Sequence, residues 1–372
     1  MEWITDPAQL QSQLATASSR VGLDTEFIRE RTWWPQLALV QVAIEHEEVS
    51  APRILLVDPL LPGMCDALRD MLVDASLTKV MHSASEDLVA LKHACGVVPA
   101  PLFDTQIAAA LAGVGAGVGY QRLVQETLGI ALEKGETRSD WLRRPLSPSQ
   151  LQYAADDVRH LFLLHDDLAT RLDDLGRQDW LHEDCLRLVG NAQRDDLELW
   201  PHLGLRSAQY LDADAQVRLL RLLRWRDAYA RDNDRPRTWI LESEFAALLA
   251  RAPPGDLPAL QSQLDAQPKA PRKLASAIWA ALHTPLADES DAPAISSDEP
   301  DKNALRKLQQ AVAARSAELG LPDGVLASRR WLEPLLGGKD WPGPLSGWRR
   351  GQLEPSLAPL LRPTGGGSDP SV

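Results

Sequence analysis

Five side chains in three separate stretches have the types and spacing to act together. Asp24 and Glu26 lie two apart in VGLDTEF, at the end of a short apolar run that holds Val21 and Leu23. If that run is a strand, its two-residue period puts both carboxylates on one face. Asp87 lies in HSASEDL, in the first turns of a segment that reads as a helix following a short strand. Tyr153 and Asp157 are four apart in YAADDV, so on a helix they share a face. Each is ambiguous alone. A lone DxE is most often a solvated strand face, an acid in a first helical turn is favoured by the helix dipole, and a helical Tyr commonly packs. Together, four acids suit two hard divalent cations, Mg²⁺ or Mn²⁺, which take oxygen ligands and keep waters. Two such ions about 4 Å apart can activate a water and stabilise a leaving alkoxide in phosphodiester hydrolysis. A Tyr hydroxyl one turn from a carboxylate can orient that water. No nucleophilic Ser or Cys is needed.

The elements that must position these groups can be read from hydrophobic periodicity. Leu37–Ile44, Ile54–Val57 and Lys79–His82 read as strands, as does the run through Leu23. Pro62-Gly63 opens a predicted helix through Leu72. Ser83–Ala94 is a predicted helix in which Ser83 and Glu86 have capping-box spacing. Asp104–Leu111 reads as the next helix. Strands in succession, then strand–helix alternation, predict a mixed sheet with helices packed on it, an α/β unit. From about residue 120 the pattern is helical. Ser147, Pro148 and Gln150 form a strong helix start, for a helix expected to reach Leu175 and stop at Gly176, with another to about Leu199. Trp200–Gly204 reads as a boundary. The remainder is all-α. The expected organisation is a domain over 1–204, a helical domain over 205–287, a flexible acidic linker over 288–302, a second helical domain over 303–362 and a disordered tail over 363–372.

Charge narrows the function. The 372 residues carry 39 basic and 52 acidic side chains, net −13, with 31 acidic against 17 basic in residues 1–200. An acidic first half argues against nonspecific coating of DNA and leaves room for an enzyme that meets phosphates through metals. The stretch Arg218–Arg237 is locally basic, with seven Arg against three Asp, with Trp225 and Tyr229 interleaved and Trp239 just beyond. Arg among aromatics suits phosphate contact and base stacking, which makes Arg218, Arg221, Arg224, Arg226, Arg235 and Arg237 candidate RNA contacts; the alternative is a solvated helix face. Trp225 and Trp331 read as packing residues. Three cysteines without a CxxC pair argue against a zinc ribbon or a disulfide scaffold and suit a reducing cytoplasm. No signal peptide is evident, and Leu102–Val118 is too interrupted for a membrane span. GVGAGVG at 113–119 lacks the Lys-Ser/Thr of a phosphate loop and reads as a turn.

The three acidic stretches resemble the exonuclease motifs of the DEDD superfamily of 3′→5′ exonucleases, in the subgroup marked by a Tyr four residues before the last Asp. TWWPQLALVQ (32–41), FDTQ (103–106) and KGETRSDWLRRPLS (134–147) resemble the bacterial ribonuclease D family more narrowly. The resemblance spans about residues 1–200. It implies an RNase-H-like exonuclease fold, metal binding by Asp24, Glu26, Asp87 and Asp157, and a Tyr153 that holds or helps deprotonate the attacking water. The segment around RWRDAYARDNDRPRTWI resembles the HRDC domain, a small helical bundle, and SRRWLE with GWRR (328–333, 347–350) resembles a second, more divergent one. These resemblances imply an exoribonuclease that releases 5′-nucleotides from RNA 3′ ends, with precursor tRNA and other small structured RNAs as substrates and no membrane partner. The alternatives are a DNA exonuclease of the same superfamily and a noncatalytic RNA-binding or adaptor protein.

Overall fold

A computed structural model describes residues 1–45, 51–132, 135–136, 139–295, 301–338 and 340–361. They form two compact units, one made of the described residues of Met1–Ile28, Leu37–Gln193 and Pro300–Val372, the other of Arg29–Gln36 and those of Arg194–Glu299. The first unit is built on one sheet of β1 (Glu2–Ile4), β2 (Arg20–Ile28), β3 (Gln36–Ile44), β4 (Arg53–Val57), β5 (Thr78–Met81) and β6 (Leu102–Asp104). Their order is β1-β4-β3-β2-β5-β6. β3 runs antiparallel to β4, while β1 is parallel to β4, β2 to β5 and β5 to β6, which is the mixed sheet expected. Its helices are α1 (Pro7–Leu14), α2 (Met64–Val73), α3 (Ser85–Cys95), α4 (Thr105–Leu111), α5 (Tyr120–Leu128), α6 (Pro148–Arg159), α7 (Leu161–Asp174) and α8 (Gln178–Gln193).

Strand alternation sorts the core. On β2, Val21 and Leu23 join α2 and α3 in one apolar cluster. The other cluster holds Leu39 and Ala43 of β3 with Ala154, Val158 and Leu161 of α6 and α7. Asp24 and Glu26 thus share the face on which α6 packs, and Thr25 points to the side of α3. Arg144 fastens the segment before α6 to the sheet. It donates two hydrogen bonds of 2.7 Å to Asp58 and a third, also 2.7 Å, to the Ala38 carbonyl.

Three local readings change. The helix expected over 148–175 is two, broken at His160. The break has a physical cause: the Tyr120 hydroxyl donates to the Asp156 carbonyl at 3.0 Å and accepts the His160 amide at 3.2 Å, occupying the place of the 156–160 helical bond. The Ser147 capping box forms as expected. The one expected at Ser83 does not. Ser83 adopts φ +58, and Ala84 precedes α3 without a side-chain cap. Finally, α8 ends at Gln193 rather than near Leu199.

The C-terminal helices α14 (Lys302–Leu319), α15 (Arg329–Leu336) and α16 (Trp348–Leu361) do not stand apart as the expected separate domain. Leu308, Leu326, Leu335 and Leu353 share a cluster with Phe162, Leu164 and Leu181. Trp348 stacks on Trp180 at 4.3 Å and donates its indole N–H to Asp184 at 3.0 Å. Arg349 adds a buried bidentate bond to the same carboxylate, at 2.6 and 2.8 Å. In the turn after α4, a Cβ on Gly113 would lie 2.8 Å from the Gly320 carbonyl, so this close approach of backbones requires glycine.

The second unit is helical: α9 (Ala213–Asp232), α10 (Arg237–Ile240), α11 (Ser243–Arg251), α12 (Leu257–Ala266) and α13 (Ala275–His283) around Leu219, Leu223, Leu249 and Ile278. It begins before the expected boundary at 204 and includes the segment after β2. There Asp234 accepts the amides of Trp33 and Trp34 at 3.0 and 3.1 Å, and Arg237 lies 4.4 Å from the Trp33 ring centre. Residues 288–295, expected as flexible linker, are pinned to this unit. Asp288 pairs with Arg224, Glu289 with Arg221, and Ile295 exchanges hydrogen bonds with Gln216 in both directions. The acidic composition that suggested disorder instead supplies counter-ions to α9. The rest of that linker, 296–300, and the expected tail lie outside the described residues, apart from 301 and 302, which open α14. Among the described residues no helix is long and apolar enough to cross a membrane.

Trp348→Ala should cost about 3–5 kcal/mol of stability, the usual loss for a buried Trp. The measurement is the urea midpoint. A midpoint equal to that of the parent would show that the C-terminal helices lend the first unit nothing.

Candidate active site

The carboxylates meet where β2 faces α6. Oxygens of Asp24, Glu26 and Asp157 all lie within 4.8 Å of one another. Two come from alternate positions of one strand and the third from a helix whose start is set by the Ser147 box. Asp87 reaches the same region from the first turn of α3. Its carboxylate accepts the Thr25 hydroxyl at 2.5 Å, so the residue between the two strand acids holds the fourth from the opposite face of β2.

Burial and mutual repulsion govern the electrostatics. Asp24 is pushed well above the usual carboxylate range, first by burial and then by Asp87, Asp157 and Glu26. Glu26 rises to about 8 through burial and the charges of Asp157 and Asp87. Asp157 rises to about 7, mainly through burial, with the Tyr153 hydroxyl opposing the rise. Asp87 rises to about 6 through burial, with the Thr25 bond opposing it. The charges that push these groups up are all negative. Such a set is completed by cations, and its all-oxygen donors fit Mg²⁺ or Mn²⁺.

Tyr153 sits one turn before Asp157, half-buried, its phenol raised above the ordinary value by burial and by Asp157, Glu26 and Asp24. Its ring is held from the side of the KGETRSDW segment. A Cβ on Gly135 would lie 1.6 Å from a ring carbon of Tyr153, so only glycine lets this backbone lie on the ring. Glu136 accepts hydroxyls of Ser139 and, at 2.8 Å, of Ser149 in the first turn of α6. The buried Trp141 ring lies 6.1 Å from that of Tyr153. Lys134, Thr137 and Arg138 of the same motif lie outside the described residues. Beside Tyr153 and Asp157 opens a cavity of about 290 Å³, lined also by Gln121, Glu136, Ser149 and Gln152.

All five candidate residues therefore converge on one region of the first unit, while the six candidate arginines lie in the second. Arg218 donates to the Ala250 carbonyl, Arg221 pairs with Glu289, and Arg224 pairs with Asp288 beneath Trp200. Arg226 is buried against Asp227, and Arg237 lies between Asp227 and Trp33. Arg235 is exposed. Five of the six thus have bonds inside their own bundle. Trp225 and Trp331 pack against the cores of their units. Thr25, Tyr120, Gly135 and Glu136 escaped the reading of the sequence. DTEF and KGETRSDW were conspicuous as text, but nothing local says which atoms their residues touch.

The chain is similar to known nucleases. A family model described as 3′-5′ exonuclease matches residues 1–173. A ribonuclease D of Xanthomonas oryzae pv. oryzae is 61% identical, covering 96% of this chain and 98% of its own. One of Pseudomonas paraeruginosa is 35% identical over 97% of each chain. The crystal structure of Escherichia coli RNase D, described as an exoribonuclease involved in structured RNA processing, superposes with a TM-score of 0.83 at 30% identity. It covers 96% of this chain and 98% of that one.

Carboxyls protonated in the fold and ionised in the unfolded chain make stability fall as pH rises. With unfolded values of about 4 and folded values of about 6, 7 and 8 for Asp87, Asp157 and Glu26, the metal-free protein should keep this contribution below about pH 4 and lose it progressively towards about pH 8. Melting temperatures in EDTA should show a steeper fall across that window for the parent than for Asp24→Asn, and Mg²⁺ should remove the difference. Parallel profiles in EDTA would contradict the repulsion.

Proposed function

Since the chain belongs to the ribonuclease D family and is a 3′→5′ exoribonuclease, we propose that Asp24, Glu26, Asp87 and Asp157 hold two divalent cations and that Tyr153 orients the water attacking the last phosphodiester of an RNA. The supporting observation is the meeting of Asp24, Glu26 and Asp157 within 4.8 Å, each raised first by burial and then by neighbouring carboxylates. When bound, the cations supply charge stabilisation for the attacking and leaving oxygens of an in-line displacement. The protein's part is placement. β2 presents two carboxylates on one face, α6 the third, and Thr25 fixes the direction of the fourth.

In the metal-free protein burial and three carboxylates favour the neutral phenol of Tyr153, which suits a hydroxyl that orients the water by a hydrogen bond. Attack at the phosphorus breaks the bond to the 3′ oxygen of the preceding nucleotide and releases a 5′-nucleoside monophosphate. The substrates proposed are precursor tRNAs and other small structured RNAs with 3′ extensions. The bundle α9–α13, read as the HRDC domain, assists in holding them. Because most of the arginines of α9 are bonded within the bundle, exposed Arg235 is the member of the stripe best placed for a phosphate.

The direct test is a 5′-labelled RNA and a DNA of the same sequence, incubated with Mg²⁺ or Mn²⁺ and then with EDTA. RNA should shorten stepwise from its 3′ end and stop on chelation. Equal degradation of the DNA would favour the DNA exonuclease reading, and no hydrolysis a binding role. Asp157→Asn should abolish turnover with the fold intact. Tyr153→Phe should lower kcat by roughly 10²–10⁴-fold, the range for a positioned proton-handling group, with KM nearly unchanged. A KM rising in step with the lost rate would make Tyr153 a substrate contact.

Gly135→Ala forces its methyl into the Tyr153 ring. It should lower kcat by an amount on the order of 10²-fold, as misplacement of a positioned group does. In a Tyr153→Ala background, where the ring is gone, it should cost nothing further. An equal loss in both backgrounds would show that Gly135 acts elsewhere.

A further inference from the structure

The turn that launches α3 is strained and lacks a local cap. Ser83 holds φ +58, a left-handed conformation that a residue bearing a Cβ adopts at a cost. The amides of Ser83 and Ala84, which lead into α3, are met from the neighbouring strand by a carboxylate some twenty residues further along the chain. Asp104, 1% exposed at the end of β6, is paired in register with Met81 of β5. Its Oδ2 accepts the Ala84 amide at 2.8 Å. Its Oδ1 accepts Ser83 at 3.2 Å, and Gln106 and Ile107 at the start of α4 at 2.8 and 3.2 Å. One carboxylate therefore closes two helix starts, and the first of these helices carries Asp87.

We propose that Asp104 is a positioning residue for the metal site: by bonding the amides of Ser83 and Ala84 it holds the left-handed turn that sets the direction in which α3 presents Asp87. The inference rests on the reading of Asp87 as a metal ligand. Thr25 steers the Asp87 carboxylate through its hydroxyl, but it can do so only if the α3 backbone starts in the right place. Helix starts leave their first amides without partners, and a charged acceptor for them is worth more than a neutral one. Without that acceptor, Ser83 is free to relax to an ordinary backbone conformation and carry the first turn of α3 with it.

The division of labour between the two oxygens makes the role testable. Asp104→Asn can keep its carbonyl oxygen in the Oδ1 place, serving Ser83, Gln106 and Ile107. The new NH₂ then faces the Ala84 amide, donor against donor. The substitution so disturbs α3 and spares α4. Ser83→Gly should compensate, because glycine takes the left-handed conformation without penalty and the turn no longer needs to be forced. A change that acted only through lost charge would persist in the double variant.

The experiment is calorimetric titration of the full-length chain with Mn²⁺, alongside kcat and KM on a short RNA. Asp104→Asn should weaken Mn²⁺ binding about tenfold, the effect of about 1.4 kcal/mol, and lower kcat with KM unchanged. Ser83→Gly added to Asp104→Asn should restore most of both. Mn²⁺ binding by Asp104→Asn as tight as in the parent, or a deficit that Ser83→Gly leaves intact, would overturn the proposal. Should Asp104→Asn fail to fold, Asp104→Ser keeps an N-cap oxygen for α4 but falls short of Ala84, and it carries the same expectations. Asp87→Asn separates the premises. If it binds Mn²⁺ like the parent, the metal reading fails and this inference with it. If it binds weakly while Asp104→Asn does not, only the role of Asp104 falls.

Discussion

Like charges crowded into a poorly hydrated place are the constraint on which the rest of this structure depends. Four carboxylates from three elements are brought together so that burial pushes all of them up, and repulsion within the cluster adds to the rise at Asp24 and Glu26. No chain arranges this for stability, since each ionised member would be better solvated apart. The fold must therefore hold the cluster against its own repulsion with bonding formed elsewhere.

That holding is distributed over groups that take no part in the chemistry. The Tyr120 hydroxyl divides α6 from α7 just beyond Asp157. Thr25 reaches through β2 to Asp87, and Asp104 ties the start of α3 to the edge of the sheet. Gly135 and Glu136 close on Tyr153 and the first turn of α6. Each joins a site-bearing element to one distant in sequence. Rigid placement by such second partners is what lets a site act without reorganising.

The helical parts play less uniform roles than their similar composition suggests. Helices α14–α16 are buried with α7 and α8 in one apolar cluster and tied by Asp184 to Trp348 and Arg349, so they complete the first unit. The α9–α13 bundle has its own core. Its arginines look like a phosphate stripe in the sequence, yet most serve carbonyls, carboxylates and aromatic rings within the bundle. The acidic run after α13 is part of the same economy of charge, meeting Arg221 and Arg224.

Features governed by short-range periodicity and local bonding were legible in the sequence. Asp24 and Glu26 share a face because strand side chains alternate. Tyr153 and Asp157 share one because a helix repeats every 3.6 residues, and the Ser147 box forms because donor and acceptor lie three residues apart. The resemblance of the three motifs then named the chemistry. Identical local logic at Ser83 and Glu86 failed, because a buried carboxylate at residue 104 offers the amides of Ser83 and Ala84 a charged acceptor that no sequence window contains. The uninterrupted helix through His160 failed for a similar reason, since the hydroxyl that breaks it belongs to residue 120. The linker was misjudged, and the partners of five arginines in the stripe went unseen, because composition records charge but not which opposite charge sits beside it. Periodicity and capping are properties of neighbouring residues; partners far apart in the chain exist only once the sheet and its helices have packed.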